Sequence, residues 1–165
     1  MIKEFLDLGK QPIANGLLEP SKDGIGYTGS DYTYKLKVGF DEESYLVTQM
    51  EYVDPPLMFN DEYVYRGSMS KTMRDHFKAL SYEIGQDKKI LEIGSNDGVF
   101  LKNFNVKNTI AVEPCGNFAK ETEEMGYRTY AKFWTQDLAD AIKEEKGEQD
   151  IIFSANCICH IPDLD

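Results

Sequence analysis

The chain has 165 residues, the length of one ordinary domain or of a small domain with part of another. Its 29 acidic and 18 basic residues give a formal net charge of −11, so we expect neither a nucleic acid nor a membrane as partner, because both surfaces are anionic. An apolar fraction of 41% is enough to build a core. Without a long apolar run, a secretory leader or a disulfide framework, the chain is expected to be cytoplasmic.

The amino-terminal part of the chain carries turn and strand signals. Glycine and proline are frequent in residues 1–30, which are therefore expected to be mostly loop. Apolar residues occupy every second position in residues 32–40, which predicts a half-buried strand, and residues 45–53 form a second β-rich run. The polar residues 41–44 between them predict a hairpin with a four-residue loop.

From residue 68 the hydrophobic pattern becomes helical. An apolar stripe at helical spacing predicts one amphipathic helix, which a serine at position 68 or 70 could begin and Gly85 could end. The members of this stripe are Met69, Met73, Phe77, Leu80 and Ile84.

Strand and helix signals then alternate to the end of the chain. The predicted strands are residues 89–93, 109–112, 127–131 and 151–155, and the predicted helices are residues 99–104, 117–125 and 135–145. Short connections between alternating elements are typical of an α/β fold with a parallel sheet and right-handed crossovers. We therefore expect two domains, a small β/loop domain over residues 1–67 and a Rossmann-like half-sheet with helices over residues 68–165.

The turn between the first predicted strand of this sheet and the next helix is the most informative segment. Gly94 permits a tight turn and leaves room for a ligand where a Cβ would otherwise lie. Asn96 occupies the position of the second glycine of a dinucleotide fingerprint, and Asp97 lies where a phosphate would bind. Both residues argue against NAD or FAD.

Three acidic residues converge near this turn. Glu113 ends the second strand 19 residues after Gly94, a distance at which a carboxylate can accept hydrogen bonds from the hydroxyls of a ribose. Together with Glu92 and Asp97 it favours a ligand that carries a ribose and a cationic centre, such as S-adenosylmethionine. The alternative is that the turn is only a strand-to-helix connection and that Glu113 is a solvated strand end.

Other polar residues allow both a structural and a functional interpretation. His76 is expected to be a partly buried, hydrogen-bonded helix residue, whereas His160 follows the fourth strand and could act as a catalytic acid or base or only order its loop. Cys157 and Cys159 are expected to pack in the core rather than bind a metal, because no second pair lies nearby.

Five segments of the sequence resemble those of one family, the class I, S-adenosylmethionine-dependent sugar C-methyltransferases, which act on nucleotide-linked deoxysugars. The segments are LGKQPIAN at 8–15, YVYRGSMS with MRDHF at 63–77, LEIGSNDG at 91–98, VEP at 112–114 and NCICHIPDL at 156–164. They occur in the family's order along the chain. The resemblance implies an amino-terminal portion of a class I methyltransferase.

The resemblance also implies roles for single residues. The methionine and ribose of the cofactor would be lined by Gly94, Ser95, Asn96 and Asp97, and the ribose would be held by Glu113, with Pro114 beside it. Adenine would be flanked by Phe133 or Trp134, and the methionine would be faced by Asn156. The pocket would be closed by Tyr65 and Ser68. For Trp134 a place in the core is an equal alternative.

Two departures from the family pattern are visible. The family's amino-terminal domain usually holds a four-cysteine zinc site, whereas no cysteine precedes Cys115, so no zinc or other metal is expected. A class I sheet has seven strands, and the segment thought to supply the general base lies in the later half, which this sequence does not include. We therefore expect a fragment, or a dimer that covers the edge of the fourth strand.

The function expected from these observations is methylation of a carbon atom on a nucleotide-linked sugar. The alternatives are a non-catalytic module that binds S-adenosylmethionine or another nucleoside, and, less favoured, an oxidoreductase-type nucleotide-binding protein.

Overall fold

The computed structural model describes residues 1–17, 19–20, 22, 27–28 and 32–161, and the chain forms two compact units, Met1–Met58 and Phe59–Asp165. Residues 59–67, which the sequence analysis assigned to the amino-terminal domain, cluster with the second unit. The last residues of the family-like segment 156–164 lie outside the described residues.

The first unit contains a three-stranded antiparallel sheet in the order β1-β4-β5 and a separate pair, β2 with β3. Its elements are β1 (Ile2–Pro12), β2 (Glu19–Pro20), β3 (Tyr27–Thr28), β4 (Thr33–Asp41), β5 (Val47–Gln49) and the short helix α1 (Pro55–Met58). The antiparallel pairing of β4 with β5 confirms the predicted hairpin.

The expectation of a loop at the amino terminus was wrong for β1, which pairs with β4 along most of its length. Gly9 lies within this strand with a φ of 67°, and its N–H donates to the Asp7 side chain. The register shifts between Asp7 and Lys10, so the glycine is accommodated as a local irregularity of the strand. Gly9 therefore marks a bulge, and Pro12 marks the end of the strand.

The second unit is built on a four-stranded parallel sheet in the order β8-β7-β6-β9. Its elements are α2 (Lys71–Ile84), β6 (Ile90–Ile93), β7 (Thr109–Val112), α3 (Gly116–Glu124), β8 (Arg128–Tyr130), α4 (Gln136–Lys146) and β9 (Ile151–Ser154), with 3-10 turns at Gly67–Met69, Leu101–Asn103, Val106–Asn108 and Ile158–His160. All four predicted strands and the α/β class are confirmed, with ends that differ by at most one residue.

Apolar side chains cover both faces of the central strands, and every residue of β6 and β7 is buried. Leu91 and Ile93 pack with Leu138 and Ile142 of α4 on one face. The opposite face holds a cluster around Phe100. The members of that cluster are Phe77, Ile90, Val99, Phe100 and Phe104.

Helix α2 has the predicted position and boundaries. The Ser70 side chain accepts a hydrogen bond from the Met73 N–H at its start, and Gly85 ends it with a φ of 90°. The predicted stripe packs against the Phe100 cluster, except for Met69, which precedes the helix and is exposed.

The helix predicted over residues 99–104 was wrong, because this segment forms turns and a single 3-10 turn. The Asn103 side chain donates to the carbonyls of Val99 and Phe100, at 3.1 and 2.9 Å. A side chain that binds these carbonyls competes with the helical backbone bonds. Phe104 then leaves the turn with extended backbone angles.

Strand β9 is one of the two outer strands of the described sheet and pairs with β6. Phe153 stacks on Phe100, with ring centroids 3.9 Å apart, whereas Ile152 on the other face is 62% exposed. In the described structure, only one face of this strand is therefore packed against aromatic side chains.

None of the helices in the described part of the chain is both long and apolar enough to cross a membrane.

We predict that Phe100→Ala lowers the free energy of unfolding by about 3–5 kcal/mol, because it leaves a cavity between three other rings. Tyr82→Ala on the outer face of α2, where the side chain is 72% exposed, should change it by less than about 0.5 kcal/mol. Urea unfolding followed by circular dichroism measures both values. Equal losses in the two variants would contradict a core centred on Phe100.

Candidate functional site

The candidate site lies at the carboxyl end of β6, in the turn Gly94–Gly98, called the glycine turn below. The N–H groups of Gly94 and Ser95 donate to the Val112 carbonyl of the neighbouring strand, at 2.8 and 3.2 Å. Gly94, Asn96 and Gly98 have φ values of 72°, 49° and 70°, a region that favours glycine and tolerates asparagine. The backbone therefore requires these residue types whether or not a ligand binds.

The space beside Gly94 is filled by the chain itself. A Cβ at this position would lie 2.6 Å from the Sγ atom of Cys157, which follows β9. This corrects the expectation that the missing side chain opens a path for a ligand, because a neighbouring thiol lies there. It also agrees with the packing role expected for Cys157, which is half-buried.

Glu113 connects the glycine turn to the end of β7. Its carboxylate accepts hydrogen bonds from the N–H of Asn96 at 2.6 Å and from the N–H of Cys115 at 2.9 Å. The side chain is buried, and this burial raises its pKa although the two N–H groups oppose the shift. Each carboxylate oxygen has a second lone pair, so Glu113 can accept further hydrogen bonds from a ligand. The alternative of a solvated strand end was wrong.

Two buried polar side chains flank Gly94 without partners. In the described part of the chain, no group hydrogen-bonds the Oε2 atom of Glu92 or the Oγ atom of Ser95, and the two residues are 3% and 1% exposed. Burial, together with the nearby charges of Glu113 and Asp97, raises the pKa of Glu92 well above its usual value. Buried polar atoms are ordinarily paired, so these two mark a place where a partner is missing.

The side chains of Asn96 and Asp97 hold residues 61–68, called the strap below. Asn96 accepts from the N–H of Gly67 and donates to the carbonyl of Tyr65, both at 2.9 Å. Both oxygens of Asp97 lie 3.2 Å from the N–H of Ser68. The structure thus gives these two side chains a structural role that the sequence analysis did not anticipate.

The other end of the strap is attached to helix α3. Asp61 accepts from the N–H of Gly116 at the start of the helix, and Cys115 at the N-cap makes no side-chain cap bond. Arg66 forms a two-fold ion pair with Glu121, at 2.7 and 2.6 Å, and holds the pKa of Glu121 below its usual value.

Asp61, Arg66 and Glu121 were not identified from the sequence. Asp61 and Arg66 each lie 55 residues from their partner, so no local pattern indicates either contact.

The remaining predicted cofactor residues have varied surroundings. Trp134 is half-buried against the apolar cluster that contains Leu91 and Ile93, which supports the alternative that its ring belongs to the core. Pro114 and Phe133 are half-buried, and Ser68 is half-buried within the strap. The exposed ones are Tyr65 and Asn156, and Asn156 has a φ of 55°.

Both histidines are exposed. The His160 ring packs edge-on against Phe59, with centroids 5.3 Å apart, so this residue contributes to the order of its loop. His76 contacts the neighbouring Phe77 ring, and the expectation of partial burial was wrong for it. Among the residues that the structure describes, no group of three or more His, Cys, Asp and Glu side chains could hold a metal ion.

We predict that Asn96→Gly loosens the strap at Tyr65 and Gly67 while leaving the glycine turn intact, because glycine adopts the same positive φ but lacks the two side-chain bonds. Hydrogen exchange at the Gly67 N–H should be faster by roughly tenfold. Asn96→Asp is the matched control, since it keeps the acceptor for Gly67. Unchanged exchange at Gly67 in the glycine variant would contradict the assignment.

Comparisons with known proteins identify the family of the chain. A family model described as "Methyltransferase domain" matches residues 65–165, which is more than half of the chain and includes the whole glycine turn. C-methyltransferase NovU from Streptomyces niveus is 24% identical over 169 residues, covering 98% of this chain but 39% of that protein. The chain thus spans less than half the length of this relative. These findings confirm the resemblance indicated by the sequence, and the chain belongs to the methyltransferase-domain family.

Proposed function

We propose that the chain binds S-adenosylmethionine at the carboxyl end of its parallel sheet and forms the methyl-donor part of an enzyme that methylates a carbon of a nucleotide-linked sugar. The observation that carries the proposal is the group of three carboxyl side chains at the glycine turn, Glu92, Asp97 and Glu113. Glu113 and Asp97 both act on Glu92 as like charges. Such a site favours a cationic ligand over one that carries phosphates.

The residues present fit this cofactor. S-adenosylmethionine has ribose hydroxyls, an ammonium group and a sulfonium, and it has no phosphate. Glu113 retains lone pairs for the ribose hydroxyls, while Ser95 Oγ and Glu92 Oε2 are buried polar atoms that lack partners among the described residues. When bound, the cofactor supplies a methyl group on a positively charged sulfur.

The chain's own contribution is binding and orientation. Glu113 would fix the ribose, and the strap, held by Asn96 and Asp97, would present Tyr65 at the site. Holding the donor in one orientation toward a substrate carbon reduces the entropic part of the barrier. We include Asn156 and either Phe133 or Trp134 in the proposed site because of the family resemblance.

Support for the substrate is less direct. The relative that matches nearly the whole chain is named a C-methyltransferase, and the five family-like segments suggest a nucleotide-linked sugar. We include His160 only as a minor candidate for a catalytic acid or base, because its ring packs on Phe59. A cytoplasmic setting is part of the proposal, since all three cysteines are free.

A non-catalytic binding module is the second candidate function. It is favoured by one specific observation, namely that the ring of His160, the residue considered as a catalytic acid or base, packs against Phe59. Both candidates require the same cofactor site, so an assay for methyl transfer distinguishes them.

We predict that S-adenosylhomocysteine, the product form of the cofactor, binds saturably and that NAD does not. Glu113→Gln should weaken binding by at least about tenfold, because it removes a charged acceptor for the ribose. Titration calorimetry measures each affinity.

The matched control for this test is Glu124→Gln, an acid on the exposed surface of α3 that should leave the affinity unchanged. Circular dichroism confirms that both variants are folded. Equal affinities for NAD and S-adenosylhomocysteine, or no binding by the folded wild-type chain, would overturn the proposal.

A further inference from the structure

The position of Glu92 in the sheet is unusual for an acidic residue. It lies in the central strand β6 and is directly paired with Ala111 of β7 and Phe153 of β9. Residues opposite one another in a parallel sheet share a face, so the neighbours of Glu92 on its own face are apolar. Only 3% of the residue is exposed. An ionised carboxylate is costly in such a place unless it is paired.

The groups that face Glu92 do not supply that pairing. Glu113 from the end of β7 and Asp97 from the glycine turn act on it as like charges. Tyr127, which precedes β8, and Cys157, which follows β9, are other titratable groups near it; burial is the main cause of the raised pKa of each, and the charge of Glu92 adds to it. Of these four groups, Glu113 and Asp97 favour a proton on Glu92.

Two buried polar atoms beside the glycine turn lack partners in the described structure. The Oε2 atom of Glu92 is buried without a hydrogen-bond partner among the described residues, and the same holds for Ser95 Oγ three residues later in the chain. A cation placed at the glycine turn would be near three carboxyl groups at once. It would favour the charged form of Glu92, which is the reverse of the effect of Glu113 and Asp97.

We propose that Glu92 carries a proton in the ligand-free protein and releases it to the solvent when a cationic ligand binds at the glycine turn. This inference rests on the proposed binding of S-adenosylmethionine, whose ammonium group is also present in S-adenosylhomocysteine. Binding is then linked to pH, and the affinity rises with pH, by up to about tenfold per pH unit, until Glu92 is ionised in the free protein as well.

Proton release can be measured directly. Titration calorimetry with S-adenosylhomocysteine, in two buffers of different ionisation enthalpy at the same pH, gives the number of protons exchanged per ligand. We expect the wild type to release a substantial fraction of one proton. Glu92→Gln, which resembles the protonated acid in shape and charge, should still bind and release markedly less. Saturable binding by the wild type without proton release would overturn the inference.

A second measurement needs no ligand and keeps the inference separate from the proposed function. A carboxyl whose pKa is higher in the folded than in the unfolded state makes the folded protein lose stability as pH rises above the unfolded value, 4.5. Urea unfolding from about pH 5 to about pH 8 should therefore show a steeper decline in the wild type than in Glu92→Gln.

Glu124→Gln, which replaces an exposed acid, should follow the wild type in this second measurement. Parallel profiles for wild type and Glu92→Gln would show that Glu92 is already ionised and would overturn the inference. If the profiles differ but S-adenosylhomocysteine does not bind, the proton on Glu92 is established, the coupling to this ligand is refuted, and the proposed function fails.

Discussion

The structure of the site depends on one buried carboxylate, that of Glu113. Its two oxygens accept the N–H groups of Asn96 and Cys115, so a single side chain fixes the glycine turn and the start of helix α3 relative to each other. N–H groups at a turn and at a helix start favour negative charge, and here the Glu113 carboxylate provides that charge in place of a bound anion. A dinucleotide-binding protein leaves such N–H groups for the phosphates of its ligand. Here the chain uses them internally, bound to the Glu113 side chain, and a ligand at this turn would meet a carboxylate in their place.

Asn96 shows why a residue other than glycine can occupy this turn. Its φ of 49° lies in the region that asparagine tolerates, and its side chain then binds the strap at two points. A glycine would give the same turn without those bonds. The asparagine therefore has two roles: it adopts the left-handed backbone of the turn, and it attaches residues 61–68 to that turn.

Local periodicity was sufficient to predict the four strands and the three α-helices of the second unit. The buried strands, helices α2 to α4 and their capping residues follow from apolar spacing, Ser70 and Gly85. The errors arose where a contact outside the local pattern decides the structure: Asn103 prevents a helix after the glycine turn, and strand β1 depends on its pairing with β4. At the site, the acidic residues could be predicted from the sequence. The ion pair of Glu121 and the thiol beside Gly94 could not, because their partners lie far away in the chain.

The convergence of acids also has an energetic meaning. Asp97 and Glu113 place like charges beside the buried Glu92, and among the described residues nothing pairs with Glu92 Oε2 or Ser95 Oγ, so the site is less stable than an apolar one of the same shape. Residues that lower stability persist where they contribute to function. A cation at the glycine turn would offset the charges of Asp97 and Glu113 and allow Glu92 to ionise. Binding would then draw on interactions that the folded protein itself leaves unsatisfied, at the carboxyl ends of the two central strands.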